Sequence, residues 1–120
     1  MSASDAMPSH DAMIPDRVRE FCGSLPGAEF YLMHDHPAFR AGKKCFMIGG
    51  ERGMSVKVPL MDQGFYLDDP RFSRTHYIGQ HGWIDVAFDD RLAWAEIERL
   101  ILISYRLAAT KKMLAQLETK

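Results

Sequence analysis

Apolar positions recur along the chain with two periods, near 3.6 and near 2, and these divide it into helices and strands. In "IPDRVREFCGSLPG", Val18, Phe21, Cys22 and Leu25 stand at i, i+3, i+4 and i+7, one stripe of a helix. Pro15 suits an early helical position, and Pro26-Gly27 ends the run. "AEFYLM" and "PAFRAG" have strand composition around the loop "HDHP". In "KKCFMIGGERGMSVKVP" two such runs flank Gly49, Gly50 and Gly53, which predicts a β-hairpin with Glu51 and Arg52 at its tip. Val56 and Val58 alternate with Ser55 and Lys57 in the second arm, and Pro59 closes it. "LMDQGFYLDDP" predicts one or two helical turns with Leu60, Phe65 and Leu67 as apolar contacts.

"GWIDVAFDD" gives the clearest strand, with Ile84, Val86 and Phe88 alternating with Trp83, Asp85 and Ala87. The last segment, "WAEIERLILISYRLAATKKMLAQLE", predicts a helix. Its stripe is Trp94, Ile97, Ile101, Tyr105 and Ala108, widened by Leu100 and Ile103. Ala109-Thr110 interrupts it, with Thr110 placed to cap a separate last turn. Helix, strands, short helix, strand and helix in that order predict an α+β fold. Its largely antiparallel sheet is covered on one face by the N- and C-terminal helices.

With 120 residues the chain supports one core, expected over residues 14–120. The opening "MSASDAMPSHDAMIP" has neither a basic start nor an apolar stretch, so 1–13 reads as a polar leader rather than a secretory signal. No apolar run reaches the roughly 18 residues of a membrane span, and a membrane partner is not expected. The expected compartment is the cytoplasm. There Cys22 and Cys45, set among apolar neighbours, are read as buried thiols.

The formal net charge of −1 argues against a protein built around bulk attraction to nucleic acid. The charge is distributed in blocks, however. Residues 40–57 carry Arg40, Lys43, Lys44, Arg52 and Lys57 against Glu51 alone, a net +4. Residues 99–120 carry Arg99, Arg106, Lys111, Lys112 and Lys120 against Glu118, again +4. A strand period of two, with Val56, Val58, Ile84 and Val86 turned to the helices, sends Ser55, Lys57, Trp83 and Asp85 to the open face. Arg40 joins them there, with Lys43, Lys44 and Arg52 near the hairpin. Cations beside an indole suit a nucleic-acid surface, the cations on phosphates and the ring on a base or sugar. The competing reading makes Trp83 a plug at the end of the core and Gly79 and Gly82 the requirements of a tight turn. It also pairs Lys57 with Asp85 across the strands.

Other chemistry has less support. His34 and His36 share a face, but Pro37 follows and no third ligand stands at a recognisable spacing, so no metal is expected. No nucleophile elbow, nucleotide-binding glycine pattern or zinc framework is present, so neither catalytic residues nor a cofactor are expected. Asp89-Asp90 is read as starting a helix and Lys111-Lys112 as complementing a helix C-terminus.

The stretches "VREFCGSLPGAE", "HPAFRAGKKCFMI", "SVKVP", "YIGQHGWIDVAFDD" and "SYRLAATKKMLAQL" together resemble the MmcQ/YjbR family, from about Val18 to Leu117. "HGW" before a strand and "SYRLAATKK" near the end weigh most, while "FYLMHDHP" departs from the family pattern. The resemblance implies a CyaY-like (frataxin-like) sandwich and a DNA-binding role of the double-wing kind. It supplies no catalytic residues. The expectation is therefore a non-enzymatic DNA-binding protein with weak sequence preference. Its contacts are Arg40, Lys43, Lys44, Arg52, Lys57, His81 and Trp83. The alternatives are a protein-interaction module anchored by Trp83 on the same face, and a small-ligand pocket beneath the "HGW" turn.

Overall fold

The computed structural model describes residues 14–50 and 52–119; the expected leader, Glu51 and Lys120 lie outside the described residues. The first helix, α1 (Asp16–Ser24), follows Pro15 directly and buries Val18 and Cys22. Leu25 is already extended, at φ −74° and ψ 141°, because the proline that follows it excludes the helical region.

The strands β1 (Ala28–Met33) and β2 (His36–Ala41) form a hairpin whose two loop residues, His34 and Asp35, both have positive φ. A loop of that kind matches the twist of the flanking strands. Next come β3 (Lys44–Gly49) and β4 (Gly53–Lys57), the predicted hairpin. A 3₁₀ turn at Leu60–Asp62 and the short helix α2 (Gln63–Leu67) precede β5 (Phe72–Arg74) and β6 (Trp83–Ala87). The strands make one antiparallel sheet in the order β1-β2-β3-β4-β6-β5. The sequence pattern gave no sign of β5, a three-residue edge strand with one apolar side chain.

Cross-strand register assigns the two faces. Phe39, Met47, Val56 and Ile84 form one row, and α1 and α3 (Trp94–Ala108) cover it with Leu100, Ile101 and Tyr105. The register shifts between Phe39 and Arg40, which pair with Met47 and Cys45 and leave Phe46 without a partner on β2. That bulge lets Phe46 and Met47, adjacent in sequence, both be fully buried. The Phe46 ring stands edge-on to Tyr105 at 5.3 Å, and the Tyr105 hydroxyl donates to the Pro26 carbonyl at 2.5 Å. The opposite face carries Tyr31, Ala38, Ile48, Ser55, Asp85 and Ser73 in one row across the six strands.

The predicted interruption of the last helix is present. Ala109 is extended, and Thr110 Oγ1 accepts the Met113 N–H at 3.2 Å to open α4 (Lys111–Glu118). Met113 then packs over Gly27, whose φ of +73° and lack of a Cβ make room for it. Among the described residues no helix is long and apolar enough to cross a membrane.

Candidate nucleic-acid interface

One end of the sheet gathers the C-terminus of β4, the N-terminus of β6, the β2–β3 turn and the C-terminus of α3. Its geometry follows from a buried hydroxyl. The β3–β4 ladder runs as far as Met47 opposite Val56; a further pair would join Phe46 and Lys57. Instead the Lys57 N–H donates to Ser104 Oγ at 2.8 Å, and Ser104 donates to the Phe46 carbonyl at 2.7 Å. The α3 hydroxyl is inserted where a strand–strand bond would be, and the strands part. The slot so formed, about 210 Å³, is lined by Lys44, Cys45, Lys57, Trp83, Leu107 and Ala108.

Lysines converge on this end from separate parts of the chain. Lys43 and Lys44 belong to the β2–β3 turn and Lys57 ends β4. Lys111 and Lys112 open α4, which is held against that turn: a Cβ on Gly42 would meet Met113 at 3.5 Å and Thr110 at 3.9 Å. Lysines from the two basic blocks therefore meet at this end, whereas Arg52 and Arg99 lie elsewhere. Among the described residues none of these lysines forms an ion pair. Lys111 and Lys112 occupy the first turn of a helix, where the macrodipole disfavours cations, and not the C-terminal position expected from sequence. The predicted cap at Thr110 already implied this placement.

The other expected contacts divide. Arg40 lies on the open face of β2, its Nε 3.2 Å from Glu29 Oε1 and its guanidinium 4.9 Å from the Tyr31 ring centre. His81 is exposed in the 3₁₀ turn Ile78–His81 at the lysine end. Arg52 is exposed in the β3–β4 turn, at the opposite end of those strands, and is not part of the lysine group. Trp83 is directly opposite Lys57 in the register but only 8% exposed, so it offers no free face for stacking. Trp83 is buried as the competing reading expected, but it lines the slot and is not one of the residues of the main core. The cross-strand pairing of Lys57 with Asp85 is also absent. Asp85 faces Ser55 and accepts hydrogen bonds at Oδ1 from Ser55 Oγ at 2.6 Å and Thr75 Oγ1 at 2.7 Å.

The turn before β6 is built by backbone constraints. Gly82 has φ +105°, and a Cβ there would lie 2.4 Å from the Val58 carbonyl oxygen. Gln63 fills the space beneath the turn, donating from Nε2 to the Gly79 and Trp83 carbonyls at 2.7 and 3.1 Å. The buried Gln63 side chain thus occupies the place of the expected ligand pocket. Tyr77, missed by the sequence reading, has φ +65° and ψ −59° within a γ-turn closed by the Ile78 N–H on the His76 carbonyl at 2.7 Å. This strained backbone leaves its ring 86% exposed beside His76. Its positive φ had no counterpart in composition or periodicity.

The two thiols are poor nucleophiles. Burial pushes Cys22 up to about 12 and raises Cys45 as well, the latter opposed by hydrogen bonds with Tyr31 and the Met47 backbone.

Comparison with solved structures agrees with this architecture. A Deinococcus radiodurans protein, DR2400, with a DUF419 domain superposes with a TM-score of 0.70 at 18% identity, over 86% of each chain. A Pseudomonas syringae protein gives 0.65 at 16% identity, over 79% of this chain and 98% of its own. At such identities the likeness concerns the fold alone. No curated protein matches the chain. The YjbR family model matches residues 23–107, from the end of α1 to the last turn of α3, and the chain belongs to the YjbR family.

Proposed function

We propose that the protein is a non-catalytic DNA-binding protein whose lysine-rich sheet end contacts the phosphate backbone. One observation carries this reading: Lys43, Lys44, Lys57, Lys111 and Lys112 assemble at one end of the sheet without carboxylate partners among the described residues. Two of them stand against a helix dipole, a cost that a bound polyanion removes. Contacts of this type carry no base information, so sequence preference is weak. The aromatic contact first assigned to Trp83 passes to Tyr77, which is exposed at the same end of the sheet. Arg40 and His81 flank the lysines, and Arg52 takes no part.

The test is fluorescence anisotropy with a labelled duplex in dilute buffer. Lys43→Glu combined with Lys57→Glu is expected to weaken binding by about a hundredfold, each reversal affecting roughly one phosphate contact. Arg52→Glu is expected to leave affinity nearly unchanged. Equal losses from both variants would mean that general charge, and not this surface, governs binding.

A protein partner is the second reading, on different residues from those first expected. Trp83 is too buried to anchor one, but Leu60, Met61, Phe65 and Tyr77 are 60%, 90%, 79% and 86% exposed. Met61→Glu and Phe65→Glu distinguish the two readings: loss of duplex affinity on either change would assign these side chains to the DNA surface instead.

A further inference from the structure

The open face has a second polar site, at the end opposite the lysines. It is a groove of about 400 Å³ whose floor includes Gly53, Ser55, Ser73, Asp85 and Ala87. The register explains the floor: Ser55, Asp85 and Ser73 are cross-strand neighbours on β4, β6 and β5, and Gly53 pairs with Ala87 one step further along. Gly53 is required there, because a Cβ would come within 2.1 Å of the Val86 carbonyl oxygen. Small side chains thus leave the sheet backbone accessible, and Arg52, Arg71 and Arg91 stand around it at the ends of the strands.

The charges are ordered. Arg71 is held by Asp69 at 2.9 Å and Glu96 at 3.2 Å, and Arg91 by Asp89 at 3.0 Å, so the charge of both guanidiniums is already paired. Arg52 has no ion-pair partner among the described residues and supplies the uncompensated positive charge. On the floor, Asp85 Oδ1 takes both hydroxyl hydrogen bonds, and Oδ2 has no hydrogen-bond donor among the described residues. A carboxylate accepts only, so its free oxygen calls for an N–H or O–H on whatever binds. Arg71 and Arg91 already grip Asp69 and Asp89 through the Nε–Nη2 edge of each fork, so the demand for an oxyanion comes from Arg52.

The two demands are spatially separate. Asp85 and Ala87 are two residues apart on β6, about 7 Å by strand rise, with the arginines beyond the second. The ammonium and carboxylate of a free α-amino acid share one carbon and cannot span this. A phosphate joined through a sugar to a base edge can. We propose that this groove binds a mononucleotide, with its phosphate at Arg52 and a base N–H on Asp85. The site is independent of the lysine end and does not rest on the DNA reading.

An ¹⁵N-labelled full chain titrated with GMP, and separately with guanosine and inorganic phosphate, tests this by amide shifts. GMP is expected to saturate shifts at Gly53, Ser55, Ser73 and Asp85, with either half of the ligand at least about tenfold weaker. Arg52→Glu and Asp85→Asn are each expected to weaken GMP by about tenfold, and Lys43→Glu with Lys57→Glu to leave it unchanged. Arg52 is an exposed turn residue, so its variant decides the matter even where Asp85→Asn disturbs the Ser55 and Thr75 bonds. No shifts at millimolar GMP, phosphate binding as tightly as GMP, or shifts confined to the lysine end would each overturn the proposal.

Discussion

Single atoms at the lysine end decide whether the sheet opens there. Ser104 is 1% exposed, and its hydroxyl serves a backbone donor and a backbone acceptor at once. Ser104→Ala leaves the Lys57 N–H and Phe46 carbonyl without it. The expected loss is about 1–3 kcal/mol in urea unfolding, with β3 and β4 the first strands to exchange their amides. Gly82 is constrained in another way, since any Cβ at φ +105° strikes the Val58 carbonyl. Gly82→Ala is expected to cost more than about 2 kcal/mol by the same measurement. The thiols give a third residue-level prediction. With Cys22 and Cys45 both raised above 9.0 by burial, the native protein reacts slowly with a thiol reagent at pH 8, and denaturant releases both groups. Fast native labelling of Cys22 would contradict its place on the buried face of α1.

Among the elements, the ion pairs beyond the far end of the sheet set the acid limit. Hydrogen bonds from Arg71 hold Asp69 and Glu96 below their ordinary 3.8 and 4.5, and Arg91 does the same for Asp89. A carboxylate depressed in the fold contributes stability that is complete above its unfolded pKa and is lost as pH falls through the folded one. Thermal stability is therefore expected to fall below about pH 4.5, and less steeply in Arg71→Ala. The elements also show what the sequence could specify. The stripe of α1, the strand character of β1 and β2, the β3–β4 hairpin, β6, α3 and the cap at Thr110 were legible because burial on one side writes a period into the residues. The edge strand β5 was not, since three residues against one neighbour need no pattern. The bulge at Phe46 and the Ser104 wedge were equally hidden, being properties of how β3, β4 and α3 meet.

At the scale of the whole molecule, the face of Lys57 was legible and the burial of Trp83 was not, because period two assigns a side but not what else covers it. The convergence of Lys43, Lys44 and Lys57 with Lys111 and Lys112 required α4 to fold back beside Gly42, a tertiary fact. It is also what gives a chain of net charge −1 a local polycationic surface. Neutralising phosphates releases counterions, so the strength of this surface can be read from its response to salt. The decisive measurement is duplex affinity at several salt concentrations, plotted as log K against log [salt]. About four to five phosphate contacts predict a slope near −4, flattened by roughly one for Lys57→Glu and unchanged for Arg52→Glu. Absence of binding in dilute buffer, or a slope indifferent to Lys57, would contradict the lysine end as the site of DNA contact.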